Sequence, residues 1–463
     1  MALSSYRTLD PSTGKLIQEF PVTTDDEVHA ALENAHKAYI QDWRHRSVAE
    51  RAKIMSRAAN LMRERTDELA RLATLEMGKQ IDHGRAELDL SARILQYYAD
   101  NAEEFLRSRP IEGSAGAVIA TEPIGVIVAI EPWNFPYYQV ARVAGPQIMA
   151  GNTLIVKHAS SVPQCALAIA KLFEDAGAPL GVYTNIYATI PQINTLIEDI
   201  RVRGITLTGS ERAGAAVAER AGRYLKKVVL ELGGSDPFIV LEDAPLAAAI
   251  KEAAIGRMLT TGQSCAAVKR IIVVGKQRGQ EFLEGLKEIF DGLLAGVGDP
   301  MEPSTSLGPV FSESGLNDLL QQVEAAREAG ATVAFGGKRI NRPGFYLEPT
   351  IVTDISKDNP LFMQETFGPV ASFYVVDSED EAIELANATN FGLGSSIYSS
   401  NITHAQEVAR KIEAGMVFIN SMIYSGPEVP FGGVKNSGFG RELSELGFYE
   451  FVNKKLIRVA GSK

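Results

Sequence analysis

From residue 117 onward the chain alternates short apolar runs with helical stretches, and no other feature narrows the fold as far. Residues 125–130 are continuously apolar, and Glu131-Pro132-Trp133-Asn134-Phe135-Pro136 closes the run. The two prolines bar a helix until Tyr137. Strand-like runs recur at 152–158, 182–188, 204–208 and 228–232, with helical patterns at 166–176, 190–200 and 215–225 between them. After Gly234 a second series begins. Its strands fall at 238–241, 269–274, 333–335, 372–376, 395–398 and 416–419. Its helices fall at 247–258, 277–293, 316–329, 378–388 and 404–414. Apolar strands alternating with helices predict parallel sheets covered on both faces. The expected class is α/β, with two doubly wound parallel-sheet domains. A chain of 463 residues is too long for one ordinary core, which agrees.

The flanking segments are less informative. Residues 26–109 carry apolar residues at helical spacing and predict a cover for one sheet face. Residues 118–121 read as an edge strand, and 426–440 as an irregular loop rich in glycine and proline. Residues 443–459 are too sparsely apolar to stand alone and fit docking on another subunit.

Composition excludes several classes of function. The net charge of −11 argues against nucleic acid and anionic membranes as partners. No apolar run is long enough to span a bilayer. Arg7 and Asp10 interrupt any hydrophobic leader core. Two cysteines, Cys165 and Cys265, make no disulfide framework, so a cytoplasmic protein is expected. Six scattered histidines without HExxH or CxxC spacing predict no metal site.

Four places hold residues suited to chemistry. Leu259-Thr260-Thr261-Gly262-Gln263-Ser264-Cys265 puts a thiol where a helix stops and a strand begins, a position that presents side chains to clefts. A small buried hydrophobe is the competing reading of Cys265, and on this stretch alone the two are even. Cys165, on a helical apolar face, reads as core. Gly209 to Gly214 joins a strand to a helix as GxxxxG; this is neither the dinucleotide fingerprint nor a P-loop, and a structural turn fits equally well. Glu231 ends an apolar strand, where burial would raise its pKa toward that of a general base. Asn134, between two prolines, suits either a turn or an oxyanion donor.

Taken together, these stretches resemble the aldehyde dehydrogenase superfamily. Ile130-Glu131-Pro132-Trp133-Asn134-Phe135-Pro136, Glu231-Leu232-Gly233-Gly234 and Gly262-Gln263-Ser264-Cys265 are similar to its asparagine, glutamate and cysteine motifs. Glu365-Thr366-Phe367-Gly368-Pro369-Val370 and Pro430-Phe431-Gly432-Gly433-Val434-Lys435-Asn436-Ser437-Gly438 match two more, in family order. Lys157-His158-Ala159 and Glu231 through Pro237 look most like the bacterial succinate-semialdehyde branch.

The resemblance implies the chemistry. Cys265 would add to an aldehyde, Asn134 and the Cys265 N–H would hold the oxyanion, and Glu231 would activate water on the thioester. It implies that Lys157 holds the adenosine ribose, Gly209 and Ser210 underlie the pyrophosphate, Trp133 and Leu232 line the nicotinamide end, Glu365 binds its ribose and Phe367 packs nearby. Ser160 stands where many relatives have a glutamate that repels a 2′-phosphate, so NADP is expected alongside NAD. His158 stands where a proline is usual.

Arg142 and Ser425 resemble ligands of a substrate carboxylate, while the usual second arginine is Leu259. The implied architecture is a dinucleotide-binding domain (1–104 and 124–233), a catalytic domain (234–442) and a small β oligomerisation arm (105–123 and 443–463), assembled as a homodimer or homotetramer. The expected reaction is oxidation of succinate semialdehyde. A broad-specificity or glutarate-semialdehyde enzyme is the alternative, and a non-catalytic binding or structural protein on the same fold is the remote one.

Overall fold

The computed structural model describes residues 6–460. Residues 1–5 and 461–463, assigned above to the first domain and the arm, lie outside them. The first large sheet has six strands in the order Gly438–Phe439, Lys227–Glu231, Val202–Thr208, Val126–Glu131, Thr153–His158 and Tyr183–Asn185. All pairs are parallel except the first. The chain leaves Val126–Glu131 toward one edge and returns to build Val202–Thr208 on its other side. The gap beyond the carboxyl ends of these two strands is therefore a topological switch point, where open α/β sheets bind ligands. Pro132 and Gly209 follow those two ends directly.

The second sheet has seven strands in the order Thr332–Phe335, Thr350–Thr353, Val370–Val376, Val268–Val274, Asp236–Val240, Gly394–Tyr398 and Met416–Ile419. Only the first pair is antiparallel. Leu232 to Ser235 carries the chain from the carboxyl end of the first sheet to the amino end of the second. The two sheets thus meet at one cleft, entered by Glu231 from one side and Cys265, just ahead of Val268–Val274, from the other.

The helices of 26–109 form as their periodicity predicts. Asp25–Gln41 and Val48–Glu64 each begin with a capping box, on Thr24 and Ser47, worth about 1 kcal/mol apiece. Ile81–Leu106 runs for 26 residues and buries Leu88, Leu95 and Tyr98 on one face. Against it lies Tyr138–Ala150, buried at all 13 positions. A helix buried all round belongs to a core, so any charge on it must find an internal partner.

Three expectations change. Residues 118–121 are not an edge. Ala117–Pro123 is the middle strand of a three-stranded sheet, between Arg109–Pro110 and Val452–Arg458. The chain end docks on its own subunit, because Phe448 and Phe451 bury in the core that holds Tyr98. Gly438–Phe439, assigned to the catalytic domain, joins the edge of the first sheet through Leu230 and Glu231. The hairpin of Tyr6–Asp10 and Lys15–Phe20 was not expected from the sequence.

Candidate active site

A cavity of about 280 Å³ opens at the cleft, lined among others by Trp133, Asn134, Glu231 and Cys265. The turn before the cysteine is strained. Thr260 and Thr261 have φ of 53° and 57°, left-handed values that β-branched residues rarely adopt. Gly262 follows at φ 74°, and a Cβ there would stand 2.2 Å from the Gly368 carbonyl. Arg257 holds the turn by donating to the Gly262 carbonyl at 2.5 Å. The outcome is a half-buried Cys265 whose thiol donates to Glu231 Oε2 at 3.7 Å.

The electrostatics follow from burial. Desolvation pushes the Cys265 thiol well above its ordinary value, and the Glu231 charge pushes the same way; Arg142 and Lys269 oppose them. Burial raises Glu231 to about 7, with Arg142 pulling it back. The resting thiol is therefore protonated, with a carboxylate poised near neutrality to take its proton.

Asn134 sits on the turn that leaves the first sheet. Its Nδ2 donates to the Gln263 carbonyl at 3.1 Å, fastening it to the cysteine loop. The turn is pinned from two further sides. Glu87 accepts the N–H groups of Tyr137 and Tyr138 at 2.8 and 3.0 Å, and its other oxygen pairs with the buried Lys79. His158 Nε2 lies 2.7 Å from the Pro136 carbonyl. Burial lowers His158 to about 4, so the ring is neutral and Nε2 carries the donated proton. The residue that replaces the usual proline is thus a clamp on the asparagine turn.

The residues expected at the cofactor fall into two groups. Trp133, Gly209, Ser210, Leu232, Glu365 and Phe367 all line the cavity. Ser210 caps the helix Glu211–Arg223, turning its N-terminus toward that space. Glu365 accepts from Gly234 N at 3.1 Å and Lys269 Nζ at 3.0 Å. A Cβ on Gly233 would lie 2.5 Å from Glu365 Oε2, so any side chain there would displace that carboxylate. Trp133 stacks on Phe311 at 3.6 Å and meets Phe367 edge-on at 5.7 Å.

Lys157 and Ser160 are not in the cavity wall but at the end of the neighbouring strand Thr153–His158 and just beyond it. Lys157 has no carboxylate partner among the described residues, and burial lowers it to about 8. Ser160 is half-buried, and its carbonyl accepts from Arg7.

The expected substrate ligands both have partners within the protein. Arg142 does not present a free cation to the cavity. It is fully buried, because its whole helix is, and its Nε faces Glu442 at 2.7 Å while Nη2 lies 3.4 Å from Glu231 Oε2. The guanidinium is sandwiched between the rings of Tyr138 and Phe431, 4.7 Å from each. Its Nη1 has no acceptor. Ser425 bonds the Tyr138 hydroxyl at 2.6 Å. Cys165 is buried core.

Glu131, Glu442 and Lys269 also stand at the site, with no role expected from the sequence. Glu131 is buried with neither oxygen hydrogen-bonded, and burial with the nearby Glu442 raises its pKa well above the carboxylate range, so it is a neutral acid. The available signal was a charged residue inside or ending an apolar run, as at Glu131 and Lys269.

The cleft, with a thiol, a carboxylate and a side-chain amide converging beside a helix N-terminus, defines an acyl-forming site next to a dinucleotide-type cleft. The chain belongs to the aldehyde dehydrogenase family, whose profile matches residues 2–457. The NADP(+) succinate-semialdehyde dehydrogenase of Deinococcus radiodurans is 49% identical over 459 residues, covering 99% of this chain and 95% of that protein. The solved structure of succinic semialdehyde dehydrogenase from Streptococcus pyogenes, in complex with NADP+ as the cofactor, superposes with a TM-score of 0.96 at 46% identity, over 98% of this chain and 99% of that one. Gox0499, studied for cofactor and substrate selection, gives a TM-score of 0.97 at 50% identity, over 98% and 100%.

Proposed function

We propose that this chain oxidises succinate semialdehyde to succinate with NADP as the preferred acceptor. The observation that carries the reading is the contact of Cys265 Sγ with Glu231 Oε2 at 3.7 Å beside Asn134, in a chain whose relatives bear that name. Glu231 takes the thiol proton, and the sulfur adds to the aldehyde carbon. The Asn134 amide and the Cys265 backbone N–H stabilise the resulting oxyanion. Trp133, Leu232, Glu365 and Phe367 would hold the nicotinamide end of a dinucleotide, which would supply the hydride acceptor that lets the oxyanion collapse to a thioester. Once Glu231 has released the thiol proton to solvent, it deprotonates a water that attacks the thioester; the C–S bond breaks, Cys265 recovers its thiol and succinate leaves.

The residues present fit a phosphorylated dinucleotide. Gly233 leaves the space Glu365 needs, the capped helix N-terminus favours a pyrophosphate, and Lys157 is a cation without a carboxylate. Ser160 brings no negative charge near a 2′-phosphate. The unpaired Nη1 of Arg142 and the Tyr138–Ser425 hydroxyl pair support recognition of the substrate carboxylate.

We assign the dinucleotide to 1–104 and 124–233, the chemistry to 234–442, and oligomerisation to 105–123 with 443–463. Leu456 and Ile457 are exposed on the outer strand of the arm and favour a dimer or tetramer, which light scattering measures. No helix among the described residues is long and apolar enough to cross a membrane; a cytoplasmic setting is proposed.

The decisive experiment is a set of steady-state rates on an aldehyde panel with NADP and NAD. Cys265→Ala should abolish turnover, and Ser160→Glu should move preference toward NAD. A faster wild-type rate on uncharged aldehydes than on succinate semialdehyde would refute the substrate. Strong NAD preference unchanged by Ser160→Glu would refute the cofactor.

A further inference from the structure

The strand Val268–Val274 is central in the second sheet and fully buried, yet its second residue is a lysine. Lys269 is 1% exposed. An ammonium in such a place is costly unless its donors are all met and an anion is close. All three donors are met. Lys269 Nζ bonds the Ser264 carbonyl at 2.7 Å, the Cys265 carbonyl, and Glu365 Oε1 at 3.0 Å. A structural ion pair would need only the carboxylate. Here two of the three bonds go to the backbone of the nucleophile and its predecessor, and the third to the carboxylate proposed for the nicotinamide ribose.

We propose that Lys269 is a positioning residue that ties the cysteine loop to Glu365 and sets a positive charge on the backbone carbonyl of the nucleophile. This rests on the reading of Cys265 as nucleophile and Glu365 as ribose ligand. The geometry makes one rigid unit of two parts of the site that come from segments 96 residues apart. Glu365 is held through Oε1 by Lys269 and by Gly234 N, so its Oε2 stays directed past Gly233. The sulfur is faced by the carboxylates of Glu231 and Glu365, the phenol of Tyr138, and the cations Arg142 and Lys269. With burial and two carboxylates acting against ionisation, the Lys269 charge is one of two that favour the thiolate.

The test uses the full chain and two readouts that a merely structural lysine would not move. The first is the pH dependence of iodoacetamide alkylation at Cys265, followed by mass spectrometry; Cys165 is buried and does not compete. The second is NADPH binding by fluorescence. Lys269→Met, which keeps length and loses charge, should alkylate about tenfold more slowly at a given pH, equivalent to about one pKa unit. Its NADPH affinity should also fall severalfold. Lys269→Arg, which keeps the charge, should restore the alkylation rate. If the methionine variant does not fold, Lys269→Gln takes its place with the same expectation for alkylation. An alkylation profile overlaying wild type in a folded, uncharged variant would overturn the proposal, as would equal losses in the methionine and arginine variants. Whether alkylated wild type still oxidises aldehyde tests the nucleophile assignment separately, so the two failures are distinguishable.

Discussion

Replacing Arg142 by methionine removes the buried cation that faces Glu231, Glu442 and Glu131 behind the cavity wall. Two unit charges about 4 Å apart at an effective dielectric of about 20 interact by ~4 kcal/mol. Glu231, 3.4 Å from the guanidinium, also borders the open cavity, whose water screens roughly half of that attraction. Losing ~2 kcal/mol corresponds to about 1.5 pKa units. Glu231 stands at about 7 with Arg142 in place. Without it the carboxyl moves to about 8.5, and its ionised fraction at pH 7.5 falls from roughly three-quarters to roughly one-tenth.

The assay is kcat against pH with an uncharged aldehyde, which removes substrate-carboxylate binding from the comparison. The acid limb should shift by about 1.5 pH units to the alkaline side. The rate at pH 7.5 should fall about eightfold and recover above pH 9. Succinate semialdehyde should show the same shift plus a raised KM. An acid limb that stays where wild type has it would refute the coupling of Arg142 to the base. A shift with no added KM effect on the charged aldehyde would remove Arg142 from substrate recognition.

Three further outcomes are expected. Glu231→Gln loses the acceptor of the thiol proton as well as the base for water, so it should release reduced cofactor slowly, to about one equivalent per active site, and then stall as the thioester, seen as a slowed stopped-flow burst; sustained turnover would show that another group activates water. His158→Leu leaves the buried Pro136 carbonyl without its donor and should cost about 1–3 kcal/mol in urea unfolding, with kcat lowered. His158→Gln, which can still donate, should recover most of both, and identical losses in the two variants would remove the clamp. Burial raises Glu76 from its ordinary value to about 7. A carboxyl raised in the folded state contributes its stability in full below about pH 4.5 and loses it as pH climbs to about 7. The Glu76→Gln variant should therefore show a flatter decline between pH 5 and 8, by at most about 3 kcal/mol. Parallel urea-stability curves for variant and wild type would contradict it.

Much of the fold was legible because its signals are short-range. Two prolines in Pro132 to Pro136 end a strand in any context, and continuous apolar runs between helical patterns have few folds open to them. The strand 118–121 was misjudged as an edge because its partner, Val452–Arg458, comes from the far end of the chain and carries an alternation too weak to announce itself. Cys265, Glu231 and Asn134 were legible as three separate oddities, each with a plain alternative. Only their order and company made them a set.

What the linear chain determined by itself is the chemical inventory: a thiol behind a glycine turn, a carboxylate closing an apolar strand, an amide between prolines, and no acid at position 160. What tertiary structure alone decided is the charge each group carries. Arg142 finds Glu231 across 89 residues and Lys269 finds Glu365 across 96. A pKa depends on burial and on the nearest opposite charge, and neither exists until segments remote in the chain have closed over the cleft.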